Sequence, residues 1–441
     1  MRGCTLAEVA EAAGATLCGP TGAGALRVAG AGIDSRRIEP GHLFFALRSP
    51  GRDGHAFAQQ AVRGGAAAAV VRAGWAGLRA EDGPFLVVDD PAAALPRLAA
   101  RQRARLAAGG CRVVAVAGSN GKTSTRRLIH HVLGRGGLAG TQSPKSFNNH
   151  LGVPLTLLGA DPADAFVAAE LGTNHPGEVA PLAGLLAPEV AVIASIGAEH
   201  LGHFGSLRAV AREEAALLPA VRPGGVVFCP PEAAEALQPF YDVADAVALV
   251  PVTEARHGRL VPPGFPLLGA HQRANARLAA AVALWFGLTP EVIAGALLDA
   301  TAAPGRMEPR ELGGGAAAGG LTLIHDAYNA NPDSVAAALE AVRGVGGGGR
   351  TVAVLGPMLE LGRFSADAHR EAAALAAGRV DEVLLLGDAW PTPGVDPGAV
   401  AAALAPGDTV LLKASRGSRL ETLIPSIERR VAQWTRAGAG A

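Results

Sequence analysis

The sequence has few cysteines, no net charge and no long apolar run, and each of these absences excludes a class of protein. Its four cysteines, Cys4, Cys18, Cys111 and Cys229, stand apart without Cys-x-x-Cys or His pairing, which argues against a zinc site or a disulfide framework. The formal net charge is zero and the basic residues form no cluster, so neither nucleic acid nor an anionic membrane is indicated as a partner. No stretch approaches the roughly 18 apolar residues of a spanning helix, and the first residues contain no apolar signal core. We therefore expect a cytoplasmic protein in a reducing compartment, without membrane insertion.

Lysine is also scarce in this sequence. Only three of the 39 basic residues are lysines, Lys122, Lys145 and Lys413. Arginine is a rigid planar fork, whereas lysine is a compact point charge on a flexible stem. In a sequence so rich in arginine, we expect each lysine to lie at a position where a guanidinium group could not replace the ammonium group.

The stretch 113–125, Val-Val-Ala-Val-Ala-Gly-Ser-Asn-Gly-Lys-Thr-Ser-Thr, predicts a strand, a small-residue turn and a helix. The first amides of such a helix have no intrahelical partner and its dipole favours negative charge, so a phosphate can bind there. Lys122 would add its charge to the outer phosphates, and Thr123 would offer a hydroxyl to Mg²⁺. The general P-loop pattern has a glycine where this chain has Val116, so only the shorter Gly-x-x-Gly-Lys-Thr form is present. The alternative is an ordinary strand-turn-helix with a surface lysine.

The length and the alternation of elements predict several domains. A chain of 441 residues predicts about two to four of them. From Cys111 onward, strands alternate with helices, which is typical of a mostly parallel sheet. The glycine-rich run Gly313–Gly320 precedes a further alternating segment. We therefore predict an α/β protein of three domains: a smaller α/β domain at 1–108, a central P-loop ATPase at 109–312 and a Rossmann-like domain at 313–441.

Polar residues follow the predicted strands, at the sheet edge where ligands bind in parallel α/β folds. Glu170 and His200 each end a strand of the central domain, so both should face the phosphate and could hold a metal ion or its waters. His200 could instead be a hydrogen-bonded cap. In the third domain, Asp333 or Ser334 is predicted to cap the helix Val335–Val342.

Four motifs match one family along nearly the whole chain: Glu170–Glu178, Tyr328–Pro332, Met358–Gly362 and Lys413–Gly417. The sequence resembles the Mur ligases, and within them the enzymes that add D-alanyl-D-alanine to UDP-N-acetylmuramoyl-tripeptide. The resemblance implies a nucleotide-sugar-binding first domain, a central ATPase and a third domain for the incoming amino component. It also implies ATP and Mg²⁺ as cofactors, the muramyl-tripeptide and the dipeptide as small-molecule partners, and a monomer. The implied reaction passes through an acyl phosphate, which needs no side-chain nucleophile.

The resemblance further implies roles for individual residues. Those expected to contact ATP are Gly118, Ser119, Asn120, Gly121, Lys122, Thr123, Ser124, Asn275, Arg306 and Asp326. Those expected to contact the nucleotide sugar or the peptides are Asp34, Ser35, Arg36, Asn148, Asn149, Tyr328, Asn329, Asn331, Lys413, Ser415 and Arg416, although the Asp-Ser-Arg triplet could be only a polar turn. The expected metal ligands are Thr123, Glu170, His200 and Glu214. The expected catalytic residues are Lys122, Glu170, His200, Glu214 and Arg306.

Three positions depart from the family's pattern. Glu214 stands where the family usually carries a carbamylated lysine that helps to bind a second Mg²⁺. Its carboxylate, permanently charged at neutral pH if its pKa is about 4.3, could replace the carbamate directly or through water. It could also merely face solvent, paired with Arg208 or Arg212. Pro357 and Gln272 replace an aspartate and an asparagine. Two alternatives stay open: a related ligase acting on another peptide or on folate, and a non-catalytic nucleotide-binding protein that kept the fold.

Overall fold

The computed structural model describes residues 1–241, 247–343, 345 and 348–438, which form three domains of mixed α/β structure. The predicted fold class is confirmed, because most strand pairs in the three main sheets are parallel and helices connect them. Parallel strands covered on both faces are apolar along their whole length, as the buried run Val113–Ala117 illustrates.

The first domain contains a five-stranded sheet of order β1-β7-β6-β3-β2, in which only β1 runs antiparallel to its neighbour. Its helix α1 starts with a capping box between Thr5 and Glu8 and stops at Gly14, whose backbone is left-handed. The strands are β1 Thr16–Cys18, β2 Gly30–Gly32, β3 His42–Phe45, β4 Arg48–Ser49, β5 Arg52–Asp53, β6 Ala68–Arg72 and β7 Phe85–Val88. The helices are α1 Leu6–Ala13, α2 Ala58–Arg63 and α3 Pro91–Ala108.

The central domain contains a six-stranded, fully parallel sheet of order β13-β12-β11-β8-β10-β9. Its strands are β8 Arg112–Ala117, β9 Gly140–Gln142, β10 Phe166–Glu170, β11 Val190–Ile193, β12 Val226–Cys229 and β13 Ala248–Pro251. Its helices are α4 Lys122–Arg135, α5 Gly152–Gly159, α6 Val179–Leu186, α7 Leu201–Phe204, α8 Leu207–Ala215, α9 Pro231–Leu237, α10 Glu254–His257, α11 Ala270–Trp285 and α12 Pro290–Leu298. One apolar cluster continues from the first domain into this one through Leu98, Val113 and Val153, so these two domains share a core.

The third domain contains a five-stranded sheet of order β14-β15-β18-β16-β17, with its own apolar clusters on both faces. Its strands are β14 Glu308–Leu312, β15 Leu321–Asp326, β16 Thr351–Leu355, β17 Glu382–Leu385 and β18 Thr409–Lys413. Its helices are α13 Pro332–Val342, α14 Ser365–Ala377, α15 Pro397–Ala403 and α16 Ile424–Gly438.

Two predictions for the third domain need correction. The sheet already begins with β14, which pairs antiparallel with β15, so the run Gly313–Gly320 is a hairpin connection and does not mark the start of the domain at residue 313. The cap of α13 is Asn331, whose side chain accepts a hydrogen bond from the Ser334 amide at 2.9 Å. Because Pro332 has no amide hydrogen and suits the first helical position, the helix starts earlier than its apolar pattern indicates.

Candidate active site

The phosphate-binding loop connects β8 to α4 at the carboxyl edge of the central sheet. Gly118 and Gly121 have left-handed backbones, with φ of 111° and 84°. A Cβ on Gly118 would lie 2.7 Å from the Ser195 carbonyl oxygen, and one on Gly121 would lie 2.5 Å from Oδ1 of Asn275. Only glycine satisfies both positions. Helix α4 begins at Lys122 without a side-chain cap, which leaves its first amides for an anion.

Side chains of neighbouring strand ends brace this loop. Ser195 Oγ accepts a hydrogen bond from the Asn120 amide at 2.8 Å and donates one to the Asn120 carbonyl at 3.1 Å. Ser119 Oγ accepts from the Gly197 amide at 2.9 Å. The loop is therefore held in shape by the protein itself. Ser195 was missed in the sequence, where only its place at a strand end could have indicated it.

Lys122 lies inside the loop, because its side chain is only 13% exposed. Its Nζ donates to the carbonyl oxygens of Gly118 and Ser119 at 2.6 and 2.9 Å and to Oε2 of Glu199 at 3.0 Å. Burial opposes the charge, but the carboxylates of Glu199 and Glu214 outweigh it and raise the pKa of Lys122. The alternative of a surface lysine is wrong.

Glu170 is buried against the start of α4, with only 1% of its side chain exposed. Its Oε2 accepts a hydrogen bond from Thr123 Oγ1 at 2.9 Å and lies 3.4 Å from Nε of Arg126. Its Oε1 accepts from Nδ2 of Asn148 at 3.0 Å. Thr123 and Glu170 therefore provide two oxygen ligands at the start of a phosphate-binding helix, and oxygen ligands suit Mg²⁺. Arg126 was not predicted as a site residue, because nothing in the sequence distinguishes it from the other arginines of α4.

His200 lies between two carboxylates and does not cap a helix with its side chain. Its Nε2 is 3.5 Å from Oε1 of Glu199, and its Nδ1 is 2.5 Å from Oε2 of Glu360, which belongs to the third domain. The Glu360 oxygen is close but badly aligned, so Nδ1 is buried without a well-directed hydrogen bond within the described residues. Glu199 was also missed in the sequence, although it immediately precedes His200 at the same strand end. It contacts both the imidazole and the P-loop lysine, so it belongs to the site.

Glu214 lies beneath the P-loop, where only 3% of the residue is exposed. Its Oε2 accepts a hydrogen bond from the Gly118 amide at 2.9 Å. The interpretation that it faces solvent beside Arg208 or Arg212 is therefore wrong. Burial raises the pKa of Glu214 to about 7, and the attraction of Lys122 only partly opposes this shift. The expected permanent charge at neutral pH is also wrong, because the carboxyl group is removed from water.

The predicted metal ligands do not form one cluster. Within the described ranges, no group of three or more His, Cys, Asp or Glu side chains is placed to hold a metal ion. Glu170 lies with Thr123, His200 lies between Glu199 and Glu360, and Glu214 binds the loop amide. The Thr123 and Glu170 oxygens fit a Mg²⁺ ion that accompanies the phosphates, whereas a second, preformed cation site is not present among these residues.

The third domain brings several predicted residues against the P-loop region. Asn331 Nδ2 donates to Oδ1 of Asn120 at 2.8 Å. Asp333 Oδ2 accepts from the Ala198 amide at 2.8 Å. Tyr328 donates its hydroxyl hydrogen to Ser146 in the loop that precedes α5. The two domains therefore meet at the site.

Other predicted residues of the third domain shape the loop after β15. Lys413 Nζ is 2.9 Å from Oδ2 of Asp326 and donates to the Asn329 carbonyl at 2.6 Å. Asp326 Oδ1 accepts from the Met307 amide at 3.0 Å, and Ser415 Oγ donates to the Ala330 carbonyl at 3.1 Å. Their expected contacts with ATP and peptide stay predictions, because these side chains are engaged with one another and with backbone.

Two arginines lie on one aromatic ring at the domain junction. The guanidinium carbons of Arg306 and Arg416 lie 4.1 and 4.9 Å from the ring centroid of Tyr328. The ring face attracts each cation, while the two like charges favour an anion beside them. This is the electrostatic setting expected for a phosphate.

The remaining predicted residues lie elsewhere or serve local structure. Asp34 pairs with Arg36 through both carboxylate oxygens and caps the short turn that starts at Ser35, which agrees with the polar-turn alternative. The Arg36 hydrogen bonds lower the pKa of Asp34 to about 2. Asn149 Oδ1 accepts from the Gly152 amide at 2.9 Å at the start of α5. Asn275 is the exception, because it lies against Gly121 of the P-loop, and its contact with the adenine stays a prediction.

A cavity of about 420 Å³ opens at the carboxyl ends of β16, β17 and β18. Its wall is mostly apolar and includes Pro357, Leu359, Leu386, Leu420 and Leu423. Ser418 also lines it, and its buried Oγ has no hydrogen-bond partner in the part of the chain that the structure describes. The size of the cavity and its mostly apolar wall suit a small ligand with apolar groups.

The raised pKa of Glu214 predicts a pH-dependent cost in stability. Its ordinary pKa is 4.5, so the folded protein binds one more proton than the unfolded chain between that value and about pH 7. The free energy of unfolding therefore falls as pH rises through this window, by roughly 3 kcal/mol when complete. We expect Glu214→Gln to unfold at higher denaturant concentration than the wild type at pH 8, and at a similar concentration near pH 4.5.

The neighbouring carboxylate gives a control with the opposite sign. Glu213 is also buried, but it accepts hydrogen bonds from the amides of Gly177 and Val179 at 2.7 and 2.8 Å. Glu213→Gln should therefore lower stability, because each carboxylate oxygen accepts one of these two amides and a glutamine side chain has only one oxygen to accept them. A Glu214→Gln variant less stable than the wild type at pH 8 would show that the carboxylate is stabilising.

Three models of protein families match the chain in succession. They are the Mur ligase family, catalytic domain at residues 27–103, the Mur ligase middle domain at 116–242, and the Mur ligase, glutamate ligase domain at 305–436. The third family model begins before β14, which agrees with the pairing of β14 to β15 in the sheet of the third domain. No helix in the described part of the chain has the length and apolarity to cross a membrane.

Among curated proteins, the chain is similar to UDP-N-acetylmuramoyl-tripeptide--D-alanyl-D-alanine ligases. It is 30% identical to that of Bacillus subtilis, over 96% of this chain and 98% of that protein. It is 34% identical to that of Mycobacterium tuberculosis, over 94% of this chain and 96% of that protein. It is also 34% identical to that of Escherichia coli, over 80% of each chain.

Solved structures share the fold. A crystal structure of MurF from Acinetobacter baumannii superposes with a TM-score of 0.81 at 25% identity, covering 97% of this chain and 99% of that one. A MurF ligase from Thermotoga maritima in complex with ADP has a TM-score of 0.74 at 22% identity, covering 92% and 98%.

Proposed function

The chain belongs to the Mur ligase family, and from this premise we propose that it is an ATP-dependent amide ligase that adds D-alanyl-D-alanine to UDP-N-acetylmuramoyl-tripeptide. The product is the pentapeptide precursor of peptidoglycan. The observation that carries the proposal is the uncapped start of α4, with Lys122 at its head, facing the third domain at the same edge. Relatives that carry the name of this ligase and align over nearly the whole chain support the choice of substrates.

In the proposed reaction, the terminal carboxylate of the tripeptide attacks the γ-phosphate of ATP and releases ADP. The amine of D-alanyl-D-alanine then attacks the acyl carbon, the tetrahedral intermediate expels phosphate, and the amine nitrogen loses a proton. Both steps develop negative charge on oxygens, so catalysis consists mainly of positioning and charge neutralisation. Lys122 and Arg306 are the cations that we assign to this role.

The P-loop residues fit their part in this scheme. The first amides of α4 and the Lys122 ammonium group bind phosphate oxygens, and Asn275 borders the loop at Gly121. Mg²⁺, when bound at the oxygens of Thr123 and Glu170, would neutralise phosphate charge. Arg126 lies 3.4 Å from the same Glu170 oxygen, Oε2, and so helps to hold that carboxylate in place. We keep Asp326 and Asn148 as proposed contacts of the ribose and the muramyl-peptide.

We assign the amino substrate to the cavity above β16–β18. A dipeptide of two alanines has small apolar side chains, which suit a wall of leucines and prolines. Pro357, which stands where the family resemblance leads us to expect an aspartate, lies in this wall. The first domain, with Asp34, Ser35 and Arg36, is assigned to the uridine end of the other substrate.

Purified protein tests the function directly. ADP release should require both the UDP-muramyl-tripeptide and D-alanyl-D-alanine, and mass spectrometry should detect the pentapeptide product. Product from another peptide or from a folate, but none from these substrates, would favour a related ligase. ADP release with neither substrate present would contradict the ligase assignment, and so would the absence of any ADP release. Either result would favour a nucleotide-binding protein.

The cavity assignment makes a separate prediction. Thr422 lies exposed at the mouth of the cavity, so Thr422→Trp should fill it without disturbing the core. We expect KM for D-alanyl-D-alanine to rise by about tenfold or more, which corresponds to roughly 1.4 kcal/mol of binding free energy. KM for ATP and for the nucleotide sugar should stay unchanged in steady-state assays.

The adjacent residue supplies the control. Glu421 is exposed beside Thr422 but does not line the cavity. Glu421→Trp introduces the same side chain and should leave all three KM values near those of the wild type. Equal effects of the two substitutions, or none from Thr422→Trp, would place the dipeptide elsewhere.

We also propose that the enzyme acts as a monomer in the cytoplasm. Its four cysteines are free, and burial raises the pKa of Cys111 and of Cys229 to about 12, so these thiols are unreactive. Free, inert thiols suit a reducing compartment. Sedimentation at assay concentrations would test the monomer.

A further inference from the structure

The central and third domains meet at a glycine pair outside the predicted site. A Cβ on Gly202 in α7 would lie 2.9 Å from the Glu360 carbonyl oxygen and 3.0 Å from the Gly362 nitrogen. A Cβ on Gly362 would lie 2.9 Å from Cα of Gly202. The Gly202 amide donates to the Glu360 carbonyl at 3.1 Å. The absence of side chains at both positions therefore allows the two backbones to touch.

Glu360 lies at the centre of this contact in an unusual conformation. Its φ of 66° is left-handed, a region that L-residues other than glycine, asparagine and aspartate seldom occupy. Its carbonyl binds Gly202, and its carboxylate Oε2 lies 2.5 Å from Nδ1 of His200. Backbone strain of this kind persists where the surroundings enforce it, often at functional sites.

We propose that Glu360 is a positioning residue of the third domain that orients the His200 imidazole toward the phosphate-binding lysine. On the far side of the ring, Nε2 lies 3.5 Å from Oε1 of Glu199. Glu199 in turn holds Nζ of Lys122 at 3.0 Å. A carboxylate this close to one imidazole nitrogen favours the tautomer that carries its hydrogen there, and so directs the other nitrogen, even though the alignment at Nδ1 is short of a well-directed hydrogen bond. The series of contacts from Glu360 to Lys122 is complete only when the third domain lies against the central domain.

This inference rests on the proposed function, because it gives domain contact a role in phosphoryl transfer. It differs from a purely structural role for Glu360, in which the residue would only shape the turn before Gly362. Glycine relieves the strain of a left-handed backbone, so Glu360→Gly should preserve or improve the turn while removing the carboxylate. The two roles therefore predict opposite results for this variant.

We expect Glu360→Gly and Glu360→Gln to lower kcat by about tenfold or more, the size of effect seen for other residues that orient a metal-binding side chain. KM for the dipeptide should stay nearly unchanged. Thermal unfolding of Glu360→Gly should match or exceed that of the wild type. Glu371→Gln, an exposed carboxylate on α14, is the matched control and should keep full activity. Wild-type kcat in Glu360→Gly would overturn the proposal.

A double-mutant cycle tests whether Glu360 acts through His200. In a His200→Ala background, Glu360→Gln should cause no further loss, whereas independent roles would multiply the two losses and overturn the proposal. Gly202→Ala should separate the backbones and reproduce the Glu360→Gln loss. Gly184→Ala, in α6 with open space for a Cβ, should not.

A readout without substrates separates this inference from the proposed function. Imidazole ¹⁵N NMR, with the His200 signals assigned through His200→Ala, should show a tautomer in the wild type that changes in Glu360→Gly. The change would support the contact even if the wild type failed to ligate D-alanyl-D-alanine, a failure that would contradict the proposed function. Identical His200 signals in the two proteins would overturn the positioning role.

Discussion

Replacement of Lys122 by alanine is expected to abolish ligation while leaving the protein folded. The ammonium group is the cation nearest the head of α4, and its pKa is held above the ordinary value by the surrounding carboxylates, so it is charged at any working pH. Preorganised groups that neutralise charge in a transition state contribute on the order of 10²-fold or more to kcat. Alanine is a good helix former, so α4 should still begin at this position. Single-turnover measurement of acyl phosphate formation would show whether the first step is lost.

Two further variants define the role of this lysine. Lys122→Arg keeps the charge, but its planar fork cannot replace a point charge that meets three oxygens at 2.6–3.0 Å, so we expect a loss nearly as large. Arg101→Ala removes a cation from the exposed face of α3 and should be neutral. Near-normal turnover of Lys122→Ala would contradict the P-loop assignment.

The second large effect is expected at Glu214. If its carboxylate replaces the carbamylated lysine of relatives, the ionised form is the active one, so wild-type activity should rise as pH increases through about 7. Glu214→Gln should lose this rise and lower activity at pH 8 by roughly 10- to 100-fold, the usual range for groups that support a metal site. The same variant is expected to be more stable at pH 8, so stability and activity should change in opposite directions.

Dependence on bicarbonate provides the complementary test. Wild-type activity should be independent of added bicarbonate, because a glutamate needs no CO₂ to become an anion. Glu214→Lys should recover activity only with bicarbonate, provided that the pocket beneath Gly118 admits the longer carbamate. Coincident curves of rate against Mg²⁺ concentration for the wild type and Glu214→Gln would show that this carboxylate has no metal role.

The parts of the candidate site that could be located from the sequence share a local cause. The P-loop, its glycines and the start of α4 follow from an apolar run, a small-residue turn and a helical pattern that are contiguous in the chain. Glu170 was found because it directly ends an apolar strand. Glu199 and Ser195 also end or follow strands, but nothing local distinguishes a polar residue that faces the loop from one that faces solvent.

The sequence by itself determined the parallel α/β architecture, the strand, turn and helix start around Lys122, and the family, because each depends on patterns within short segments. Only the tertiary structure decided that β14 joins the third sheet, that Asn331 caps α13 and that Glu360 reaches His200. It also decided the burial that raises the pKa of Glu214, beneath a loop whose Gly118 amide, 96 residues away, donates a hydrogen bond to this carboxylate. The physical reason is that a pKa, a strand pairing or a domain contact depends on which distant groups exclude water and bring their charges close, and the chain order does not contain those distances.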